Sequence, residues 1–333
     1  MTTLSSFILT SNNKSMLKST HFLSITLIAV LSLHIASCLV YIFAPSLYVS
    51  RQLFEYQKNK IYSASSEVET IIIGDSSGGN AINAIRYSQI ANEKALNLCL
   101  TGSFGIIGSA NILEKAVERF PNLHTVIIIH TLDIWGRDIT KAPWWLDTYT
   151  LCPSNLLKNP LPMWRIFVSA VKYYFTTTHL KNYLYSLLSP NRTDGISKMA
   201  DYISQGKKTY ANSEKTISPD ATLDNMRVQQ ENIMALKNID KAIESHDLSV
   251  FFIHGPLYKS LADNSINYID KIKQILPAEL SNVKFISKVV SLTKAQTGDS
   301  VDHTLPAYKN KITKRYYELI KNNRHLHHSS DGL

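Results

Sequence analysis

The sequence predicts an α/β protein: a mainly parallel five-stranded sheet with helices on both faces, preceded by one transmembrane helix. Three observations predict it. Short β-branched or apolar runs alternate with segments of helical periodicity, the pattern of successive β-α-β units. Several runs are apolar at every position, as strands covered on both sides are. An uncharged stretch of 24 residues, 21–44, stands ahead of them all.

That stretch reads HFLSITLIAVLSLHIASCLVYIFA and is closed by Pro45. As a helix it is about 36 Å long, enough to cross a hydrocarbon core of about 30 Å. Its scattered Ser, Thr and His form no polar stripe of the kind a buried core helix shows. Lys14 and Lys18 precede it with no acidic residue upstream, whereas Arg51 and Glu55 follow. The positive-inside bias therefore puts residues 1–20 in the cytoplasm and the body on the extracytoplasmic, periplasmic side of the inner membrane. A lipoprotein signal is the alternative, because Ile35-Ala36-Ser37-Cys38 has lipobox form. Against it, Leu39-Val40-Tyr41-Ile42-Phe43 prolongs the apolar run where a mature lipoprotein turns polar. The polar, mixed residues 45–68 read as a stalk or an amphipathic approach.

In the body, residues 70–73 (TIII) form the first strand, stopped by Gly74. A helix is expected over 80–92, from Ala81, Ile82, Ala84, Ile85 and Ile90. Residues 96–100 form the second strand, 110–120 a helix and 125–129 a third, fully apolar strand. The pattern breaks over about 136–222, an insertion, and resumes with a helix over 223–246, where Ile233, Leu236, Ile239 and Ile243 share a face. Strands at 250–253 and 283–286 flank a helix at 265–276, and a helix at 306–322 closes the chain. The body thus spans 69–325, with a flexible tail at 326–333.

Composition narrows the function. The 333 residues are 44% hydrophobic and 18% charged, which excludes a disordered chain and a polytopic membrane protein. The net charge of +9 is spread out, with no basic block interleaved with aromatics, so no nucleic-acid partner is expected. Cys38, Cys99 and Cys152 provide neither a disulfide framework nor metal-ligand spacing. His130 and His254 each follow a strand without ligand partners nearby and read as core-edge histidines. No metal and no cofactor are expected.

Two segments can carry chemistry. Gly74-Asp75-Ser76-Ser77-Gly78-Gly79-Asn80 joins the first strand to a helix, where a serine hydroxyl is held at the sheet edge beside backbone N–H groups. Gly298-Asp299-Ser300-Val301-Asp302-His303 lies between the fifth strand and the last helix, where a histidine can reach that serine as a general base. Asp299 is favoured over Asp302 as the orienting carboxylate, because adjacent side chains diverge while a four-residue separation around a turn brings two together. The competing reading of this segment is an N-cap cluster. All four tryptophans (Trp135, Trp144, Trp145, Trp164) fall within 30 residues. With the tyrosines that follow, they suit sugar stacking, a membrane-surface helix or a second small core.

These residues resemble the SGNH/GDSL hydrolase superfamily. Gly74-Asp75-Ser76 matches its first block, Gly102 its second, and Asp299 to His303 its last, over roughly 69–135 and 247–322. The resemblance is to membrane-anchored members that accompany cell-surface polysaccharide O-acylation. It implies an SGNH-like, flavodoxin-like sandwich in which Ser76 is the nucleophile, His303 the base and Asp299 the orienter. The N–H groups of Ser76 and Gly102 would hold the oxyanion. It further implies an acyltransferase or esterase acting on acyl groups, acetyl above all, of an exported polysaccharide or an acylated small molecule, with a membrane O-acyltransferase as a partner. Trp135, Trp144 and Trp145 are the candidate substrate contacts. Two blocks depart: where the family has an oxyanion asparagine after strand three, this chain has His130-Thr131-Leu132-Asp133, and Ser300 stands where the usual Asp-x-x-His spacing has its aspartate, so that Asp299 fits the version of the block with one extra residue. A catalytically inactive subunit or glycan-binding scaffold of a polysaccharide assembly complex is therefore the rival expectation.

The charge bias around residues 21–44 makes a topological prediction. An alkaline phosphatase joined after residue 330 should be active, and a reporter that functions only in the cytoplasm should be silent; the reverse pattern would place the body inside the cell.

Overall fold

The computed structural model describes residues 4–44, 48–188 and 218–324. The tail 326–333 and the insertion residues 189–217 lie outside the described residues. The chain divides into two compact units, Met1–Leu47 with Phe167–Arg192, and Tyr48–Ile166 with Thr193–Leu333.

The larger unit is built on strands β1 (Thr70–Gly74), β2 (Ala95–Asn97), β3 (Thr125–His130), β4 (Ser249–His254), β5 (Leu257–Tyr258), β6 (Val283–Ile286) and β7 (Ser291–Leu292). Five of them form one all-parallel sheet in the order β2-β1-β3-β4-β6, and β5 and β7 form a small parallel pair. The five strands are those the sequence predicts, shifted by at most a few residues. In this order the winding reverses between β1 and β3, and in open parallel sheets such a reversal leaves a crevice at the strands' carboxyl ends.

The helices are α1 (Leu4–Phe43), α2 (Val49–Ser63), α3 (Ser76–Ala81), α4 (Ala84–Ala91), α5 (Gly105–Arg119), α6 (Trp145–Thr148), α7 (Met163–Tyr174), α8 (Thr178–Leu188), α9 (Gln230–Ala242), α10 (Lys259–Asn264), α11 (Ile266–Glu279) and α12 (Pro306–Arg324). On one face of the sheet, Ile72, Ile127, Ile129, Phe251 and Ile253 pack with Tyr87 of α4 and with Ile312, Tyr316 and Ile320 of α12. The alternate residues Ile71, Ile73, Val126, Ile128 and Phe252 are buried on the other face, and α5 packs against β1 and α9. Period-two alternation with both sets apolar is what a sheet covered on both sides requires.

Three expectations change. The helix expected over 80–92 is two helices, because the Asn83 side chain accepts hydrogen bonds from the backbone N–H groups of Ile85 and Arg86 and starts a new one. The helix expected over 265–276 is preceded by the short α10. The stalk expected over 45–68 is, from Tyr48 on, part of the larger unit. Leu53, Phe54, Gln57 and Ile61 share one face of α2 and are fully buried. Gln57 Nε2 donates to the Cys99 carbonyl (2.8 Å) and Lys60 Nζ to the Asn97 carbonyl (2.7 Å), so α2 is tied to the chain around β2. The segment looks polar along the chain because the apolar stripe of α2 is only three residues, Leu53, Phe54 and Ile61, with the polar Gln57 buried among them.

In the smaller unit, α8 packs on α1. Residues His21–Phe43 of α1 are long and apolar enough to cross a membrane, and Phe22, Leu31, Ile35 and Phe43 are exposed along them. Cys38 lies within this continuous helix as a free thiol.

The first strand ends at a close approach. Gly74 has φ of +138°, and a Cβ there would lie 1.7 Å from the Ile129 carbonyl oxygen of the neighbouring strand. Only glycine fits. Gly74→Ala should therefore destabilise the larger unit by roughly 3 kcal/mol or more, read as a loss of cooperative thermal unfolding at the wild-type midpoint.

Candidate active site

The turn after β1 is organised by Asp75. Its backbone N–H donates to the Ile129 carbonyl (3.0 Å). Its Oδ1 accepts from the Ser77 N–H (2.9 Å) and the Ser77 hydroxyl (2.5 Å), and its Oδ2 accepts from the Thr131 N–H (2.9 Å). His130 Nδ1 lies 3.4 Å from Oδ2. Burial alone would raise this carboxyl, but His130, Arg137 and the Ser77 hydroxyl outweigh it and hold it well below the usual carboxylate range. One buried carboxylate thus joins the end of β1 to the end of β3 and caps α3. Ser77 faces inward, and a Cβ on Gly255 would strike its hydroxyl oxygen at 2.0 Å.

Ser76, the first residue of α3, is only partly buried. Its hydroxyl oxygen lies 3.0 Å from His303 Nε2, and His303 Nδ1 lies 2.7 Å from Asp299 Oδ1. With Nδ1–H donating to the carboxylate, Nε2 is left as the acceptor for the Ser76 hydroxyl proton. Asp299 reaches the ring because the loop is pinched: Thr297 and Thr304 form an antiparallel bridge, and the Gly298 N–H donates to the His303 carbonyl (2.7 Å). Asp302 Oδ1 is 3.9 Å from Nε2 and accepts the Ser300 hydroxyl at 2.5 Å. The side chain adjacent in sequence is thus turned away from Nδ1. Burial lowers the His303 pKa, but the Asp299 bond, with the charges of Asp302, Asp299 and Asp75, outweighs it, so the pKa is raised above the ordinary value.

Gly102 opens a short 3-10 helix, Gly102–Phe104. Like Ser76 at the head of α3, it is placed where a backbone N–H has no acceptor within its own helix. Arg137 is the neighbour that sequence reading missed. A Cβ on Gly102 would fall 1.8 Å from Arg137 Nη1. The guanidinium is held by Asp133, with Nη2 2.8 Å from Oδ1 and 3.1 Å from Oδ2. Burial, with Asp75 and Asp302 nearby, raises the Asp133 carboxyl despite Arg137. Gly102 and Arg137 also line a cleft of about 310 Å³ with Ile139, Lys141, Trp145 and Asn232. Asp133 and Arg137 stand at i,i+4 spacing, but no spacing rule links them to Gly102, and only the packing of the segment after β3 brings the guanidinium against it. Lys309 of α12 is a second such residue: buried, with Nζ donating to the Gly79 carbonyl (2.8 Å), it pins α3, and burial pulls its pKa down to about 7.

The aromatic candidates divide. Trp135 and Trp145 are buried, with indole N–H groups donating to His254 Nε2 and the Ile139 carbonyl, both at 2.8 Å. Neither offers an open face for sugar stacking, which corrects the expectation for these two: they are core. Trp144 is partly exposed and packs by Tyr48 and Phe104. His130 and His254 are buried, His130 Nε2 within 2.9 Å of the Ser109 hydroxyl, and burial pulls the His254 pKa down to about 3. Among the described residues, no group of three or more His, Cys, Asp or Glu could hold a metal ion.

Comparison of the chain with protein-family models, with curated proteins and with solved structures finds no match. The chemistry therefore has to be read from the side chains themselves: a hydroxyl, an imidazole and a carboxylate in hydrogen-bonded series, at the carboxyl edge of a parallel sheet.

The raised His303 pKa sets a sign. A histidine whose folded pKa is raised stabilises the fold fully below its unfolded value of about 6.5, and this contribution is lost as pH rises through the folded value. NMR titration should give His303 a pKa above the ordinary one, and Asp299→Asn should lower it. An unchanged titration in Asp299→Asn would remove Asp299 from the orienting role.

Proposed function

We propose that the chain is a membrane-anchored, SGNH-like serine acyltransferase or esterase acting on acyl groups, acetyl above all, of an exported polysaccharide. The observation that carries this is the unbroken series Ser76–His303–Asp299, with contacts of 3.0 Å and 2.7 Å. Residues 227 positions apart have no structural need to meet at the end of a strand in this order.

In this reading Ser76 Oγ attacks the acyl carbonyl carbon while its proton passes to His303 Nε2, and Asp299 holds the imidazolium that forms. The tetrahedral oxyanion is received by the N–H groups of Ser76 and Gly102. The Arg137 guanidinium against Gly102 adds positive charge beside that N–H group. As the bond to the departing oxygen breaks, that oxygen takes the proton from Nε2, leaving an acyl-serine. Water or a sugar hydroxyl then gives its proton to Nε2 and attacks the ester, regenerating Ser76. Water makes the enzyme an esterase and sugar a transferase. The cleft beside Gly102 has apolar walls, Ile134, Ile139 and Trp145 among them, with Arg137, Lys141 and Asn232 as polar points, a mixture that suits the apolar faces and hydroxyls of a sugar acceptor. The span His21–Phe43 fits an anchor that keeps the body at the outer face of the cytoplasmic membrane, beside an exported substrate and a membrane acyltransferase partner.

The second reading is a glycan-binding subunit that keeps the fold without turnover, and the missing asparagine among His130-Thr131-Leu132-Asp133 favours it. A fluorophosphonate probe separates the two. Labelling of the wild type at Ser76, absent in Ser76→Ala and His303→Ala, supports the enzyme; a chain that never labels is the binding subunit.

If the enzyme reading holds, Ser76→Ala and His303→Ala should each cut acyl transfer or hydrolysis on the order of 10⁴-fold or more. The double variant should be no worse than either, because the two act as one unit. Arg137→Met should cost roughly 10²–10³-fold in kcat. In cells, Ser76→Ala should lower the acetyl content of the surface polysaccharide.

A further inference from the structure

The smaller unit carries an apolar surface besides α1. Residues 167–188, FVSAVKYYFTTTHLKNYLYSLL, contain no acidic residue, two lysines and four tyrosines. They comprise the last part of α7, a break at 175–177 and α8. Phe167 is 68% exposed, Leu184 52%, Leu187 61% and Leu188 79%, and Val171 and Phe175 are also open. A surface of this kind, on a segment whose α8 packs on the apolar α1, has no reason to face water.

The break between the two helices shows what it faces. Ser37 Oγ donates to the Thr176 carbonyl and accepts from the Leu180 N–H (3.1 Å). His34 Nδ1 bonds the Phe175 carbonyl, His179 Nε2 donates to the Tyr173 carbonyl (2.6 Å), and the hydroxyls of Tyr41 and Tyr173 are hydrogen-bonded to each other at 2.6 Å. Four backbone groups around the break, the carbonyls of Tyr173, Phe175 and Thr176 and the N–H of Leu180, are thus taken up by side chains of α1 and α8, and the Thr178 N–H by the Thr176 hydroxyl. In water that work falls to solvent, whereas in hydrocarbon it has to be done internally. Ser37 and His34 are also polar interruptions of the apolar span. Ser37 lies six residues before Phe43, so the break sits about 9 Å along the helix axis inside the end of the span.

We propose that residues 167–188 form a re-entrant hairpin, inserted beside α1 into the leaflet from which the anchor emerges, with lipid as the partner of its exposed face. This rests on the anchor reading of α1. The tyrosines and lysines fit: Lys181 Nζ lies 5.7 Å from the Tyr185 ring centroid, one turn towards the open end of the hairpin, where a snorkelling ammonium reaches the headgroups. The smaller unit is then held in the bilayer by two elements, the anchor and the hairpin.

The test measures depth in the full chain, reconstituted into phosphatidylcholine–phosphatidylglycerol vesicles. In a Cys38→Ala background, where the remaining Cys99 and Cys152 are buried, nitroxides are placed through Val171→Cys, Leu184→Cys and Leu187→Cys. Leu31→Cys in the span and Lys314→Cys on α12 give the lipid and water references. Collision rates with oxygen and with a water-soluble nickel chelate are read by electron paramagnetic resonance. The hairpin positions should match Leu31: high oxygen and low nickel access. Nickel access equal to Lys314 at the hairpin, with Leu31 still in lipid, overturns the hairpin and leaves the anchor standing. Low access to both reagents overturns it in favour of a protein partner over this face. Nickel access at Leu31 itself overturns the anchor and the hairpin with it.

Discussion

The Asp75 carboxylate is the interaction on which the larger unit's site depends. It is buried, it accepts from Ser77 and Thr131, and it sits beside His130. A buried carboxylate is tolerated only when its oxygens are filled, and here both are filled from the ends of two neighbouring strands. The turn that presents Ser76 therefore cannot shift without breaking the tie between β1 and β3. The backbone approach at Gly74 and the close packing of Gly255 on Ser77 leave this network no slack. Rigid placement of the hydroxyl follows from these contacts, before any substrate is considered.

The second half of the site arrives from the other end of the chain. The bridged loop 297–304 presents His303 to Ser76, while α12 returns across the sheet and anchors α3 through Lys309 and Tyr316 through the His254 carbonyl. Lys309 is costly to bury, and its depressed pKa records that cost. Its bond to the Gly79 carbonyl, with that of the Thr313 hydroxyl to the Ala81 carbonyl, ties the helix behind the serine to α12. Asp133 and Arg137 add a second charged pair on the same side, held by the segment that follows β3.

The polar residues of the membrane-length helix are used in the same economical way. Ser37 and His34 bond the break between α7 and α8. A sequence scan registers them only as interruptions of an apolar run. The tyrosines and tryptophans after residue 135 likewise divide by position: Trp135 and Trp145 are internal, Trp164 and Phe167 are external. Aromatic density in the sequence does not distinguish these cases, because a large ring serves a core and an interface equally well.

The sequence by itself determined the alternation of strands and helices, the length of the apolar span, and the Gly-Asp-Ser and Asp-to-His segments. Each of these is local: β-branched runs, 3.6-residue periodicity and turn chemistry act over a few neighbours. Tertiary structure alone decided the rest. It set the strand order that brings residue 76 to residue 303, the burial of α2, and the meeting of Gly102 with Arg137. Those outcomes depend on which surfaces are closed off from water by distant segments, and no periodicity along the chain encodes a contact between residues separated by tens or hundreds of positions.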